Sequence, residues 1–351
     1  MQHGTLPMPI GGIASTARSD PASSGPAAPP FPSAHTIRAL ARKQLDRFFS
    51  YQPKVMKGTN PEAIHDMRVA SRRLQQVMDL IYPKPRPQEV RKLRRQLVRT
   101  RRALGDLRNC DVLLEMVRYR LERKRSARRE AWEAVQHFIQ ARRAKSFERA
   151  ARKLGKLNLA ACYVSLRALL YQEEALAGAT EHDHATGSNQ GAAAPPQVSE
   201  QSLTTALESV WSRFEDQIEH SRRTARPEVI HAARIATKRL RYLLEVCHEL
   251  GIAGSADALA WLRQLQNHLG NWHDLVVLEE MMIEAVTRPE FLRDHLRLAM
   301  EVEKLMVSNR AAKTRLEEKY AQSFRDSEDL RRLKEWVAYA LASPSAALAR
   351  S

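Results

Sequence analysis

Residues 61–74 read Pro-Glu-Ala-Ile-His-Asp-Met-Arg-Val-Ala-Ser-Arg-Arg-Leu, and residues 227–240 read Pro-Glu-Val-Ile-His-Ala-Ala-Arg-Ile-Ala-Thr-Lys-Arg-Leu. An offset of 166 positions carries one onto the other without a gap. Most pairs are identical, and only Asp66/Ala232 and Met67/Ala233 are not conservative. Self-similarity of this length reads as an internal duplication. Each copy opens as a helix should. Pro61 and Pro227 suit the first helical position, where a missing N–H costs nothing. Glu62 and Glu228 sit at the positive end of the helix dipole. On a 3.6-residue period, Ile64, Met67, Ser71, Leu74, Met78 and Ile81 make an apolar stripe, repeated as Ile230, Ala233, Thr237, Leu240 and Leu244. About 100° round lies a polar row: His65, Arg68, Arg72 and Gln75 in the first copy, His231, Arg234, Lys238 and Arg241 in the second. A solvated face mixes signs at four-residue spacing. These rows are almost purely positive, and stacked like charges repel unless an anion neutralises them.

Working outward, the match continues more loosely. Leu104-Gly105-Asp106 corresponds to Leu269-Gly270-Asn271, with Asp111 and Asp274 following. Apolar spacing of three and four elsewhere, and the absence of strand alternation or hairpin turns, predicts an all-α fold. Helices are expected at about 34–52, 61–82, 88–105, 109–154 (broken), 156–175, 200–222, 227–250, 256–270, 272–287, 289–320 and 325–342. Residues 1–33 are rich in Pro, Ala and Ser and read as a disordered tail. Residues 176–200 read as a flexible linker. It contains His182, Asp183 and His184, taken as solvated rather than metal-binding. The first helical half then covers 34–175 and the second 201–290, with C-terminal helices over 291–342 and a tail at 343–351.

The chain carries 57 Lys and Arg against 40 Asp and Glu, a net charge of +17. Residues 61–160 alone hold 27 basic against 11 acidic residues, which places nearly all the excess there. A field of this sign gathers anions. The densest runs are residues 91–102 and 118–129, and Arg142, Arg143, Arg152 and Lys153 extend a basic surface. Three scattered cysteines, Cys110, Cys162 and Cys247, fit buried single thiols in a reducing compartment. No apolar run reaches the length of a membrane span, and no secretory signal is evident, so a cytoplasmic protein is expected.

The repeats resemble the CHAD family, named for conserved histidines in an α-helical domain. Its pattern resembles His-x-x-Arg-[Ile/Val]-x-x-[Lys/Arg]-Arg-Leu-Arg in each half, followed by Leu-Gly-x-x-x-Asp. The matching positions are His65, Arg68, Arg72 and Arg73, then His231, Arg234, Lys238, Arg239, Arg241 and Tyr242. Two departures stand out: Gln75 where the first repeat usually has Arg, and Asn109 where the second block usually has Asp. The resemblance implies two pseudo-symmetric helical bundles around a basic central cavity. It also implies inorganic polyphosphate as partner, with possible residence on polyphosphate granules. Many such proteins carry a β-rich triphosphate-tunnel catalytic domain. No run of alternating Glu and Lys that would line one is seen here, so no catalytic residue is expected.

The residue types suit a phosphate chain. Arg offers a planar fork of donors and stays charged, while Lys adds a compact charge. His is a donor whose charge rises near phosphate. Arg94, Arg101 and Arg108 join the candidate contacts. For His65 and His231 the alternative is a structural hydrogen bond. Arg73 and Arg239 fall on another face and have ion pairs with Asp111 and Asp274 as their alternative. Tyr242, Trp211, Trp261 and Trp272 read as core, and His273 as a cap after Gly270. The competing functions are nucleic-acid backbone binding and an accessory role to a phosphohydrolase. Aromatics at 6% and no interleaved basic–aromatic motif weigh against the first. The lack of a phosphate loop or a convincing carboxylate set weighs against catalysis. No cofactor or metal is expected.

Overall fold

A computed structural model describes residues 34–122, 128–182, 200–224, 226–324 and 327–342, and thirteen α-helices account for nearly all of them. The tails at 1–33 and 343–351, and most of the expected linker, lie outside the described residues.

The two quoted stretches begin α3 (Pro61–Ile81) and α9 (Pro227–Glu249). Asn60 caps α3, its side chain accepting from the Ala63 N–H at 3.0 Å, and Pro61 takes the first position. The expected apolar stripes are the buried ones. Ile64, Met67, Ser71 and Leu74 are at or near zero exposure, as are Thr237, Leu240 and Leu244. Each buried aliphatic chain contributes about 1.5–3 kcal/mol relative to leaving it in water.

α3 packs on α1 (Ala34–Ser50) and α4 (Gln88–Ala103), and α7 (Leu159–His182) closes against those two, a first four-helix bundle. α9 packs on α8 (Glu200–Arg223) and the first half of α10 (Ser255–Val286), and α13 (Glu328–Ala342) closes against those two, a second. The bundles meet where α3 packs on α8 and α9. A separate apolar cluster joins α5 (Gly105–Glu122) and α6 (Arg129–Gly155) to the far half of α10 and α12 (Leu296–Gln322). It contains Cys110, Trp132, Met282 and Val302.

Several expectations need correction. α10 runs unbroken through Gly270, where two helices were expected. A mid-helix glycine costs only about 1 kcal/mol. Burial of Leu262, Leu265, Leu269, Trp272 and Leu275 on either side offsets it. At Leu104, by contrast, the helix is interrupted for one residue between α4 and α5, although the Leu104 N–H still donates to the Thr100 carbonyl at 3.0 Å and the Arg108 N–H to the Leu104 carbonyl at 3.1 Å. A short helix, α2 (Gln52–Lys57), was not foreseen. It ends on Gly58 at φ 72°, a left-handed turn against which Phe147 packs so closely that a Cβ would clash. The expected helix at 289–320 divides at His295 into α11 (Pro289–Asp294) and α12. α7 continues to His182, past the expected linker start, while Asp183 and His184 lie outside the described residues. The C-terminal helices are not an appendage: α13 completes the second bundle and α12 the third cluster.

Candidate functional site: a cationic seam between two helices

Because α3 and α9 pack on each other, their polar rows share one seam. Arg68 and Arg72 from α3 act electrostatically on Lys238 of α9, and Arg72 acts on Arg234. Arg101 arrives from α4. It donates to the Ser71 carbonyl at 3.1 Å and to Gln75 Oε1, while Arg68 donates to the Arg101 carbonyl. Arg72 donates to the Tyr242 hydroxyl at 3.0 Å, so one half supplies the donor and the other the acceptor.

Five basic side chains, Arg68, Arg72, Arg101, Arg234 and Lys238, therefore converge from both halves. None has a carboxylate within ion-pair distance among the described residues. Arg234 Nε is buried without a hydrogen-bond partner. The electrostatic consequences follow from burial first and like charge second. Arg68 and Arg101 are each pushed down to about 10. Lys238 is pushed down to about 6 by burial and by Arg234, Arg72 and Arg68, with Asp274 opposing. Burial also lowers His65 and His231, helped by Arg108 in the first case and by Arg234 and Lys238 in the second. Asp274 is raised by burial, against the pull of Arg234, Lys238 and Arg108.

Not every expected residue belongs to this group. Arg73 does pair with an acid, but with Glu245 at 2.9 Å rather than Asp111, and Arg241 shares that carboxylate. Arg241 also donates to Gln266 Oε1 at 2.6 Å and lies 4.3 Å from the Tyr242 ring centre. Arg94 grips Asp79 through two bonds of 3.0 and 3.1 Å. Arg108 stands at the edge, 3.9 Å from the exposed Glu62. Arg239 points away from the seam and lines a groove with Arg213 and Gln217 of α8. Asp111 is held by Arg143 at 2.6 Å and Arg142 by Glu284 at 2.6 Å, which neutralises the start of the expected basic surface there.

Two residues were given lesser roles by the sequence. His273 is no cap: it sits mid-helix in α10, its ring 5.5 Å from that of His231, and burial with Arg234, His231 and Lys238 pushes it down to about 3. Its signal was present, since His273 stands four places after Leu269 as Arg108 stands four after Leu104. Tyr242 is buried as expected, yet its hydroxyl and ring face serve Arg72 and Arg241.

The offset that aligns the sequences also aligns contacts. Ser71 and Thr237, 166 apart, are both fully buried with hydroxyls on their own helix backbone. Asp79 and Glu245, also 166 apart, are each gripped by arginine. Most telling is Gln75 with Arg101 against Arg241 with Gln266: the amide–guanidinium pair recurs with its ends exchanged. The missing arginine at 75 is thus returned from the neighbouring helix.

An all-α, two-bundle protein with a donor-lined seam between α3 and α9 is the class that fold and site define. The CHAD domain family model matches residues 39–282, and the chain belongs to that family. Among solved structures, the CHAD domain from the plant Ricinus communis has a similar fold. It superposes with a TM-score of 0.54 at 21% identity, over 91% of this chain and 96% of that one. A search of curated proteins finds no match.

Proposed function

We propose that the protein binds inorganic polyphosphate at the α3–α9 seam without transforming it. The observation that carries this reading is the convergence of Arg68, Arg72, Arg101, Arg234 and Lys238 with no ion-paired carboxylate among the described residues. Such a set is costly when empty and is relieved by a multivalent anion. Guanidinium forks span two phosphate oxygens, and a chain of phosphates presents no bases that aromatic platforms would need to read. The seam supplies hydrogen-bond donors, and Asp274 is outnumbered by the cations that surround it. No helix among the described residues is long and apolar enough to cross a membrane. Work in the cytoplasm, on polyphosphate granules, follows as part of the proposal.

Titration with long-chain polyphosphate, tripolyphosphate and duplex DNA at matched ionic strength tests it. Polyphosphate should bind most tightly, and Arg68→Glu with Arg234→Glu should abolish that binding while circular dichroism stays helical. Equal affinity for DNA, or retained polyphosphate binding in the folded double variant, overturns the reading.

A further inference from the structure

The outer side of α4 carries a second cationic feature. A groove of about 900 Å³ is bordered there by Lys84, Arg91, Arg95, Arg99 and Arg102. The four arginines repeat at spacings of four, four and three, so they stand in one line along the helix, about 16 Å from end to end. All are exposed, and none is ion-paired among the described residues. The carboxylate nearest in the network, Asp79, is already taken by Arg86 at 3.2 Å and by Arg94. A line of like charges on one helix destabilises that helix, so an ordinary solvated face does not account for it.

A relay of side-chain contacts also links the groove to the seam. On α3, Arg68, Arg72, Gln75 and Asp79 form one row at spacings of four, three and four. Gln75 holds Arg101 and Asp79 holds Arg94, and Arg94 itself borders the groove. Stepping outward from Lys238, positive charge passes from Arg72 to Arg101 to Arg94 and then to the exposed line.

Resting on the polyphosphate reading, we infer that the α4 groove is an outer track that holds the part of a long polyphosphate chain emerging from the seam. The seam takes a short stretch of chain, and the groove adds affinity only for chains long enough to reach it. The protein then discriminates by chain length through a surface separate from the seam.

The test uses the full-length protein with Arg91→Gln, Arg95→Gln and Arg99→Gln combined. A control removes the same charge elsewhere: Arg315→Gln, Lys319→Gln and Arg332→Gln on α12 and α13. The groove variant should lose at least tenfold in affinity for long-chain polyphosphate and less than twofold for tripolyphosphate. The control should lose less than twofold for both. Unchanged long-chain affinity in the groove variant overturns the track and leaves the seam reading standing. So does an equal loss in the control, which would reduce the effect to net charge. Loss of duplex DNA binding with polyphosphate binding intact overturns it in favour of a nucleic-acid surface. Failure of the wild-type protein to bind tripolyphosphate or long chains overturns the seam reading itself.

Discussion

Lys238 is a primary amine held among Arg68, Arg72 and Arg234, with His231 and His273 nearby and Asp274 as the opposing charge. Pushed down to about 6, it is largely neutral in the empty protein at neutral pH. The sign of the consequence follows. Between about pH 6 and the ordinary lysine value, the unfolded chain holds a proton that the folded chain lacks, so stability rises with pH across that window. A phosphate chain reverses the preference by favouring the ammonium form, so binding takes up a proton and tightens as pH falls from 8 towards 6, by up to about tenfold per unit for one proton. Lys238→Met removes the half-buried amine at similar volume. It should raise the melting temperature of the free protein near pH 7, by about 1–3 kcal/mol of stability, the cost of burying an unpaired polar group. It should also flatten the pH dependence of polyphosphate affinity measured by calorimetry. An unchanged slope in this variant assigns the proton to His65 or His231. This residue was legible from its place in the repeat, because spacing puts it in the cationic row. Its burial was not, since that depends on α3 lying across it. Arg73 and Arg239 show the same limit: both are repeat positions, but only packing reveals that one meets Glu245 and the other turns to α8.

The elements exchange roles between the halves while the contact survives. Gln75 of α3 accepts from Arg101 of α4, and Arg241 of α9 donates to Gln266 of α10. Gln75→Arg alone would set two guanidinium groups against each other and strip Arg101 of one of its acceptors, a loss of about 1–3 kcal/mol. Arg101→Gln alone should weaken polyphosphate binding and leave two amides facing. Together the two changes recreate the α9–α10 arrangement, and urea unfolding should recover most of the stability, with a coupling of about 0.5–3 kcal/mol between the sites. Additive losses would mean the two pairs are not equivalent. Helix positions were readable wherever an apolar stripe met a cap, as at Asn60-Pro61. They misled at Gly270, where the same Leu-Gly context that marks a one-residue interruption at Leu104 lies inside a 32-residue helix. A glycine permits either outcome, and burial of the flanking stripe offsets its cost within α10. For α10 the packing partners are α9 on one side and α12 on the other.

At the scale of the whole molecule, the seam lies where the two bundles join, so the repulsion stored there acts across the interface between α3 and α9 rather than within one bundle. Two opposite salt responses follow. Without ligand, rising ionic strength screens Arg68, Arg72, Arg101 and Arg234 from one another, and the melting temperature should climb. With polyphosphate present at about a hundred times its Kd in low salt, binding adds about 2.7 kcal/mol to the folded state. That gain should shrink as salt rises, because release of counter-ions supplies much of the affinity. Melting curves recorded from about 50 mM to about 500 mM NaCl should therefore converge, the free protein from below and the complex from above. The Arg68→Glu, Arg234→Glu variant should show neither trend, since its seam mixes signs and its ligand is lost. Parallel curves for the wild-type protein would mean that the anion sits away from the joint and leaves the strain between the bundles untouched.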